Sequence, residues 1–164
     1  MKFTKLAAIS LSFMAAPAFS DGHATGNAED GESVFKKCKA CHSIIDNEGE
    51  VIVKGGKNGP NLYGLYTRVA GTQADFTKYG DSLIETGEAG LQWNEADFVT
   101  YVSDPRDFLR TYLDDKKAKT KMSFKLRDEQ DAKDVWAFIV ANGPAVEEAA
   151  AEGETTEETT TSTD

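Results

Sequence analysis

Two cysteines and a histidine lie together in the segment Cys38-Lys39-Ala40-Cys41-His42. They are the only 2 Cys of the chain, and His42 is one of only 2 His. The Cys-x-x-Cys-His pattern is that of c-type haem attachment. Positions i and i+3 share one face of a helical turn, so the two thiols can each add to one vinyl group of the same haem. The segment therefore predicts one covalent haem c, with His42 presented to its iron.

Other uses of a Cys-x-x-Cys pair are weaker here. A thioredoxin-like redox pair follows a strand of a βαβ unit, and the chain shows no such alternation. A structural disulfide between Cys38 and Cys41 remains an alternative. A zinc site would need a second ligand pair, and His23 is the only other imidazole.

The second axial ligand can be sought by elimination among His, Met, Cys and Tyr. Both Cys are used by the attachment, and His23 lies in a polar segment close to the start of the expected mature chain. Met1 and Met14 belong to a predicted signal peptide. Met122, in Lys119-Thr120-Lys121-Met122-Ser123-Phe124, is then the only thioether left. This segment lacks helical or strand periodicity, which favours a loop over a haem face; the alternative for a lone Met is core filling.

Four motifs in this order resemble the class I cytochromes c, most closely the large soluble cytochrome c2 and c550 type of alphaproteobacteria. They are Cys38-x-x-Cys41-His42, Gly59-Pro60-Asn61-Leu62, Trp93 and Thr120-Lys121-Met122-x-Phe124. The resemblance runs from about Gly31 to Gly143. It implies an all-α class I cytochrome c fold, with helices wrapped around one covalently bound haem, and axial ligation by His42 and Met122.

The resemblance also implies roles for five further residues around the haem. The carbonyl of Pro60 matches the acceptor for the ring N–H of the ligating His. Tyr79 and Trp93 match donors to a haem propionate, and Arg68 matches a partly buried Arg on the propionate side. Tyr101 matches a Tyr near the Met sulfur. Without the resemblance, each aromatic reads as core and Arg68 as a surface charge.

The elements that must position these residues are mainly helical. Apolar spacing and end signals predict helices over Asp30–Lys39, from Asn94 as an N-cap, from Pro105 at a first helical position, and over Asp128–Asn142. The resemblance implies that the first and last helices cross tightly at Gly31, with Phe35 and Trp136 packed nearby. Two segments depart from the family pattern, since 46–54 and 109–118 lengthen the loop after the haem motif and the approach to Met122.

The two ends of the chain differ from the middle in composition. Residues 1–20 have Lys2 and Lys5, a short apolar run and small residues before a cleavage site after Ser20, so they predict a signal peptide; an uncleaved anchor or a buried helix is the alternative. Residues 21–144 form the expected cytochrome c domain. Residues 145–164 hold seven acidic and no basic side chains. We expect a disordered acidic tail there, with an interaction tail as the alternative.

The charge pattern bears on partners. The formal net charge of −10 argues against a nucleic-acid partner. Yet ten basic residues flank the haem motif and Met122, which predicts a basic ring around the haem edge that steers association with acidic partners. The alternative is that they are solvated helix ends. The ring comprises Lys36, Lys37, Lys39, Lys54, Lys57, Lys116, Lys117, Lys119, Lys121 and Lys125.

Together these features predict a soluble, monomeric periplasmic electron carrier and not an enzyme. By resemblance it takes electrons from the cytochrome bc1 complex and passes them to a terminal oxidase (cytochrome c oxidase) or to a photosynthetic reaction centre. A haem enzyme such as a peroxidase, or a gas sensor, is the alternative and would need a labile Met122. A thiol redox protein without haem is a weaker one.

Overall fold

The computed structural model describes residues 24–66 and 68–144. The predicted signal peptide, His23 and the acidic tail lie outside the described residues. The helical prediction is confirmed, and a two-stranded antiparallel sheet is added to it. None of the helices in the described part is long and apolar enough to cross a membrane. The elements are α1 (Ala28–Phe35), β1 (Ile44–Ile45), β2 (Val51–Val53), α2 (Asp81–Glu88), α3 (Glu95–Ser103), α4 (Pro105–Tyr112) and α5 (Glu129–Ala141).

The first and last helices, α1 and α5, cross in close contact at Gly31. A Cβ placed on Gly31 would lie 2.0 Å from the carbonyl oxygen of Asp134 and 2.9 Å from Cβ of Phe138. Only a residue without a side chain permits this approach. Phe35 and Trp136 are almost fully buried beside the crossing, as expected. The ring next to Phe35, however, is that of Phe138, with centroids 5.2 Å apart.

Side-chain caps set the starts of α3, α4 and α5. Asn94 accepts from the Asp97 N–H at 2.9 Å, and Asp128 accepts from the Asp131 N–H at 2.9 Å. Pro105 is the first residue of α4, and the preceding Asp104 caps this helix by accepting from the Asp107 N–H. These three starts agree with the sequence predictions. Asn and Asp are preferred N-cap residues because their side-chain oxygen accepts from a free N–H of the first helical turn, so the sequence indicates such starts.

The prediction for the first helix was wrong at both ends. Asn27 accepts from the N–H groups of Glu29 and Asp30, so α1 begins at Ala28 rather than at Asp30. It ends at Phe35, and the chain continues in tight turns instead of reaching Lys39 in helical form.

Three elements were not predicted: the two strands of a hairpin, β1 and β2, and the helix α2. The lengthened segment 46–54 was expected to be a loop, but Ile44 pairs with Val53 in a hairpin. The Asp46 carboxylate stabilises its turn by accepting from the N–H groups of Glu48 and Glu50, at 2.9 and 2.7 Å. The third is α2, which follows Tyr79 and packs against the segment around Ala70.

Candidate cofactor site

All nine predicted site residues line one cavity. Its volume is about 500 Å³, within the range of about 300–1,000 Å³ that is typical of ligand and cofactor sites. Residues from widely separated parts of the sequence meet there because α2, α3, α5, the turns after α1 and the loops between the helices converge. The nine are Cys38, Cys41, His42, Pro60, Arg68, Tyr79, Trp93, Tyr101 and Met122.

The turn after α1 brings the two thiols and the imidazole to the cavity. The Cys38 N–H donates to the Phe35 carbonyl at 2.8 Å, and those of Cys41 and His42 both donate to the Cys38 carbonyl at 3.1 Å. Burial raises the pKa of the Cys38 thiol to about 11, although Lys37 acts in the opposite direction. A thiol that stays protonated at neutral pH is a poor thiolate nucleophile. Both thiols are free in the structure.

The His42 ring is fixed in position and in protonation state. Its Nδ1 lies 2.8 Å from the Pro60 carbonyl oxygen, to which Nδ1–H donates. Burial lowers the pKa of His42, the bond to Pro60 opposes this, and Arg68 adds to the lowering. The ring is therefore neutral, and with the proton on Nδ1 its Nε2 is left as a lone-pair donor for a metal. Gly59 packs against the ring so closely that a Cβ there would lie 2.3 Å from its Cε1.

A loop carries Met122 to the cavity, and hydrogen bonds of Thr120 and Lys121 hold this loop. The Thr120 hydroxyl lies 3.1 Å from both the N–H and the carbonyl oxygen of Met122. The Lys121 ammonium donates to the carbonyls of Lys78 and Tyr79, at 3.1 and 2.9 Å. The loop is thus tied to the segment just before α2, and the half-buried thioether is kept at the cavity.

Arg68 is a partly buried cation whose hydrogen-bond acceptors are neutral. Its guanidinium donates to the carbonyls of Tyr63 and Asn61, at 3.1 and 3.0 Å, and to the side-chain amide of Gln73. Burial lowers its pKa, which shows the cost of desolvating the charge. No carboxylate of the described residues forms an ion pair with it. A buried cation of this kind suits a cofactor that brings its own carboxylates, as the propionates of haem would.

The remaining walls are aromatic and aliphatic. Trp93 and Tyr101 meet edge to face at 5.1 Å, and Phe108 packs behind Tyr101 at 5.6 Å. The Tyr101 hydroxyl hydrogen-bonds to Thr120, while burial raises its pKa. Tyr101 therefore lies next to the loop that carries Met122. The aliphatic lining consists of Leu62, Leu65, Leu83, Val102, Val135 and Ile139.

The chemistry of these groups fits a haem better than a bare metal ion. An imidazole nitrogen, a thioether sulfur and two thiols face one apolar cavity with a cation at its side. Within 24–66 and 68–144, no group of three or more His, Cys, Asp and Glu side chains could hold a metal ion, as a zinc site would need.

Sequence reasoning missed several residues that shape the site. Gln73 contacts Arg68 through the fold, and nothing in its local sequence marks it. Thr120 was inside a quoted motif, but its hydrogen bonds to Met122 and Tyr101 were not foreseen. Gly59 was inside a quoted motif, but its contact with the His42 ring was not foreseen. Lys78 was left out of the predicted basic ring, although it lines the cavity together with Lys119 and Lys121.

Comparisons with known proteins agree with this geometry. No family model matches the chain. It is 51% identical over 141 residues to cytochrome c-551 of Roseobacter denitrificans, covering 86% of this chain and 96% of that protein. It is 46% identical over 157 residues to cytochrome c-550 of Paracoccus denitrificans, covering 93% and 96%. The structure of cytochrome c2 from Rhodobacter sphaeroides superposes with a TM-score of 0.68 at 50% identity, covering 70% of this chain and 94% of that one.

Proposed function

The chain belongs to the class I cytochromes c of the cytochrome c2 and c550 type, and its cofactor is one covalently attached haem c; from this we propose that it is a periplasmic electron carrier. It would take electrons from the cytochrome bc1 complex and deliver them to cytochrome c oxidase or to a photosynthetic reaction centre. The meeting of all nine predicted residues in one cavity is the observation that carries the proposal. The haem supplies an iron that accepts and releases one electron.

In this proposal each wall of the cavity has its own task. Cys38 and Cys41 would form the two thioether bonds. His42 would be one ligand of the iron, oriented by its hydrogen bond to the Pro60 carbonyl, which fixes the tautomer and the ring plane. Met122 would be the other ligand, held in place by its hydrogen bond with the Thr120 hydroxyl.

Two side chains would then fill both axial positions, which favours electron transfer over catalysis or gas sensing. Either alternative needs a position open to a small molecule, and the tied loop around Met122 opposes this. Thioether ligation and an apolar lining both raise the reduction potential, because they disfavour the extra positive charge of the oxidised state. Arg68, with its neutral acceptors, would act in the same direction.

The charges around the cavity support acidic redox partners. Four lysines and Arg68 line it, and none of its lining residues is Asp or Glu. Two lysines of the predicted ring are in ion pairs, Lys37 with Asp131 and Lys125 with Asp104. In the proposal the others stay available to steer a partner. We further propose that the carrier is a monomer without a nucleic-acid partner, and that export removes residues 1–20.

Absorption spectra of the mature holoprotein test this function. We expect a low-spin spectrum in both oxidation states, a far-red band from a sulfur–ferric bond, and no change when carbon monoxide is added to the reduced form. A high-spin spectrum, or a ready shift with carbon monoxide, would support the enzyme or sensor alternative. N-terminal sequencing should find Asp21 first.

A pair of variants in one loop tests the ligand assignment. Met122→Ala should keep the haem but lower the reduction potential, remove the far-red band and allow carbon monoxide to bind. Ser123→Ala, which lines the same cavity, should leave all three unchanged. A Met122→Ala protein with the potential of the native chain would remove Met122 from the ligands.

A further inference from the structure

Three exposed lysines at the cavity mouth carry charges that the described part of the chain leaves uncompensated. Lys78, Lys119 and Lys121, here called the basic rim, line the cavity, and no acidic residue lines it with them. None of the three forms an ion pair within residues 24–66 and 68–144. The Lys121 ammonium donates only to carbonyls, so its hydrogen bonds do not neutralise it.

The opposite charge lies in the sequence after Pro144. Residues 145–164 contain seven acidic side chains and no Lys or Arg. Six of them are Glu, spread at intervals of one to four residues over 147–158, and the seventh is Asp164. A segment of this composition matches a cluster of lysines in charge and has too few apolar residues to pack as a core.

The tail can reach the rim from its point of attachment. Pro144, the last residue before the tail, lies beside Gly64: a Cβ placed on Gly64 would be 3.5 Å from Cδ of Pro144. Twenty residues span up to about 66–72 Å when extended. A domain of about 120 residues has a radius of gyration of about 14 Å. Every point on the domain surface is therefore within reach of the tail.

We propose that residues 145–164 occupy the basic rim of their own molecule at low ionic strength and compete there with acidic partners. The attachment gives the tail an effective concentration in the millimolar range, which a free partner rarely attains. The competition weakens with salt, because the screening length falls from about 30 Å at 0.01 M to about 8 Å at 0.15 M. The contact itself is independent of the proposed function, and only its effect on partners rests on it.

Paramagnetic relaxation tests the contact without any electron transfer. A spin label on Ser162→Cys of the reduced, 15N-labelled holoprotein should broaden the amide signals of Lys78, Lys119 and Lys121 at 10 mM salt. The broadening should disappear at 300 mM salt. It should also be absent at 10 mM salt in a control variant whose tail has the same length but no charge, with every tail Glu changed to Gln and Asp164→Asn.

Three results would overturn the proposal. One is the absence of broadening at low salt, and another is broadening without preference for the rim. The third concerns a mixture of spin-labelled protein without 15N and 15N-labelled protein without a spin label. Rim broadening in that mixture, at the strength expected from its share of spin-labelled molecules, would place the tail on a second copy.

Oxidation by hexacyanoferrate(III), an anion that takes one electron from the reduced protein, tests the competition. Truncation after Pro144 should raise the rate constant about threefold to tenfold at 10 mM salt and hardly at all at 300 mM. In a Lys78→Gln, Lys119→Gln background, truncation should raise it less than about twofold. Equal acceleration in both backgrounds would assign the effect to overall charge and refute the competition. Loss of oxidation in every variant would instead contradict the electron-carrier function.

Discussion

Gly59→Ala should displace the His42 imidazole and destabilise the domain. A Cβ at this position would lie 2.3 Å from Cε1, 2.6 Å from Nδ1 and 2.7 Å from Nε2 of His42. The ring must then move by more than about 1 Å to reach the separation of about 3.5 Å at which carbon atoms make ordinary contact. Such a movement breaks the hydrogen bond of 2.8 Å between Nδ1 and the Pro60 carbonyl oxygen.

The magnitude follows from these two losses. Overpacking of a well-packed site costs about 1–3 kcal/mol, and loss of the hydrogen bond about 0.5–1.5 kcal/mol. The sum lowers the free energy of unfolding by about 1.5–4.5 kcal/mol. Unfolding entropy of about 2.1 cal/mol/K per residue gives about 0.25 kcal/mol/K for 120 residues, so Tm should fall by about 6–18 °C.

Thermal unfolding of the holoprotein, followed by circular dichroism, measures this loss, and ring-proton NMR of the reduced state reports the position of His42. Gly80→Ala is the matched control, because Gly80 lines the same cavity but its Cβ would meet only the flexible Lys121 side chain, at 3.4 Å. We expect the control to lower Tm by less than about 2 °C. Equal Tm values for the two variants, with unchanged His42 ring signals in both, would refute the reasoning.

Three other substitutions have expected outcomes. Gly31→Ala should lower the free energy of unfolding by about 1–2 kcal/mol in urea titrations. Its Cβ would lie 2.0 Å from the carbonyl oxygen of Asp134 in α5, and the better helix propensity of Ala offsets only part of the cost of this clash. A more stable variant would contradict the tight crossing. Lys121→Met should speed amide hydrogen exchange in the Met122 loop by releasing its two carbonyl contacts, whereas Lys119→Met, whose ammonium makes no such contact in the described structure, should not. The hydrogen bond from Lys125 lowers the pKa of the Asp104 carboxyl, so this group stabilises the fold above its unfolded pKa, and the contribution is lost as pH falls through its folded pKa. Asp104→Asn should therefore weaken the fall in the denaturation midpoint between pH 5 and about pH 3, and an identical acid profile would show that the pair contributes nothing.

Local signals in the sequence predicted most of the helical starts. Asn94, Pro105 and Asp128 mark the starts of α3, α4 and α5 because capping is decided within one helical turn. In contrast, α2 was missed. Gly80 before it offers no side-chain cap, and its buried positions are Thr86 and Gly87 rather than large apolar residues. Its helical form therefore depends on packing against the rest of the domain, which periodicity does not reveal.

The ligand candidates could be found from sequence because so few residues of the right kind exist. With 2 Cys, 2 His and 3 Met in the whole chain, elimination left Met122 almost alone. The contacts that hold these groups could not be found in this way. Gln73 acts through a hydrogen bond to Arg68 whose geometry exists only after folding, and nothing in the sequence distinguishes it from Gln92 or Gln130. The hydrogen bond between Thr120 and Tyr101 likewise joins residues that only the fold brings together.

The segments that carry His42 and Met122 differ in how firmly they are held, and this difference decides which of the two proposed ligands is released first. His42 sits in turns continuous with α1, between Gly59 and the Pro60 carbonyl, so moving its ring requires movement of the backbone. Met122 lies in a loop without regular structure, and several of the hydrogen bonds that hold this loop are exposed. They come from the Lys119 N–H to Ser82 and from the Lys121 ammonium, while Thr120 bonds Met122 and Tyr101. Segments with few buried contacts and exposed hydrogen bonds open at the lowest free energy. Mild denaturant should therefore release Met122 from the cavity while His42 and the rest of the fold remain in place.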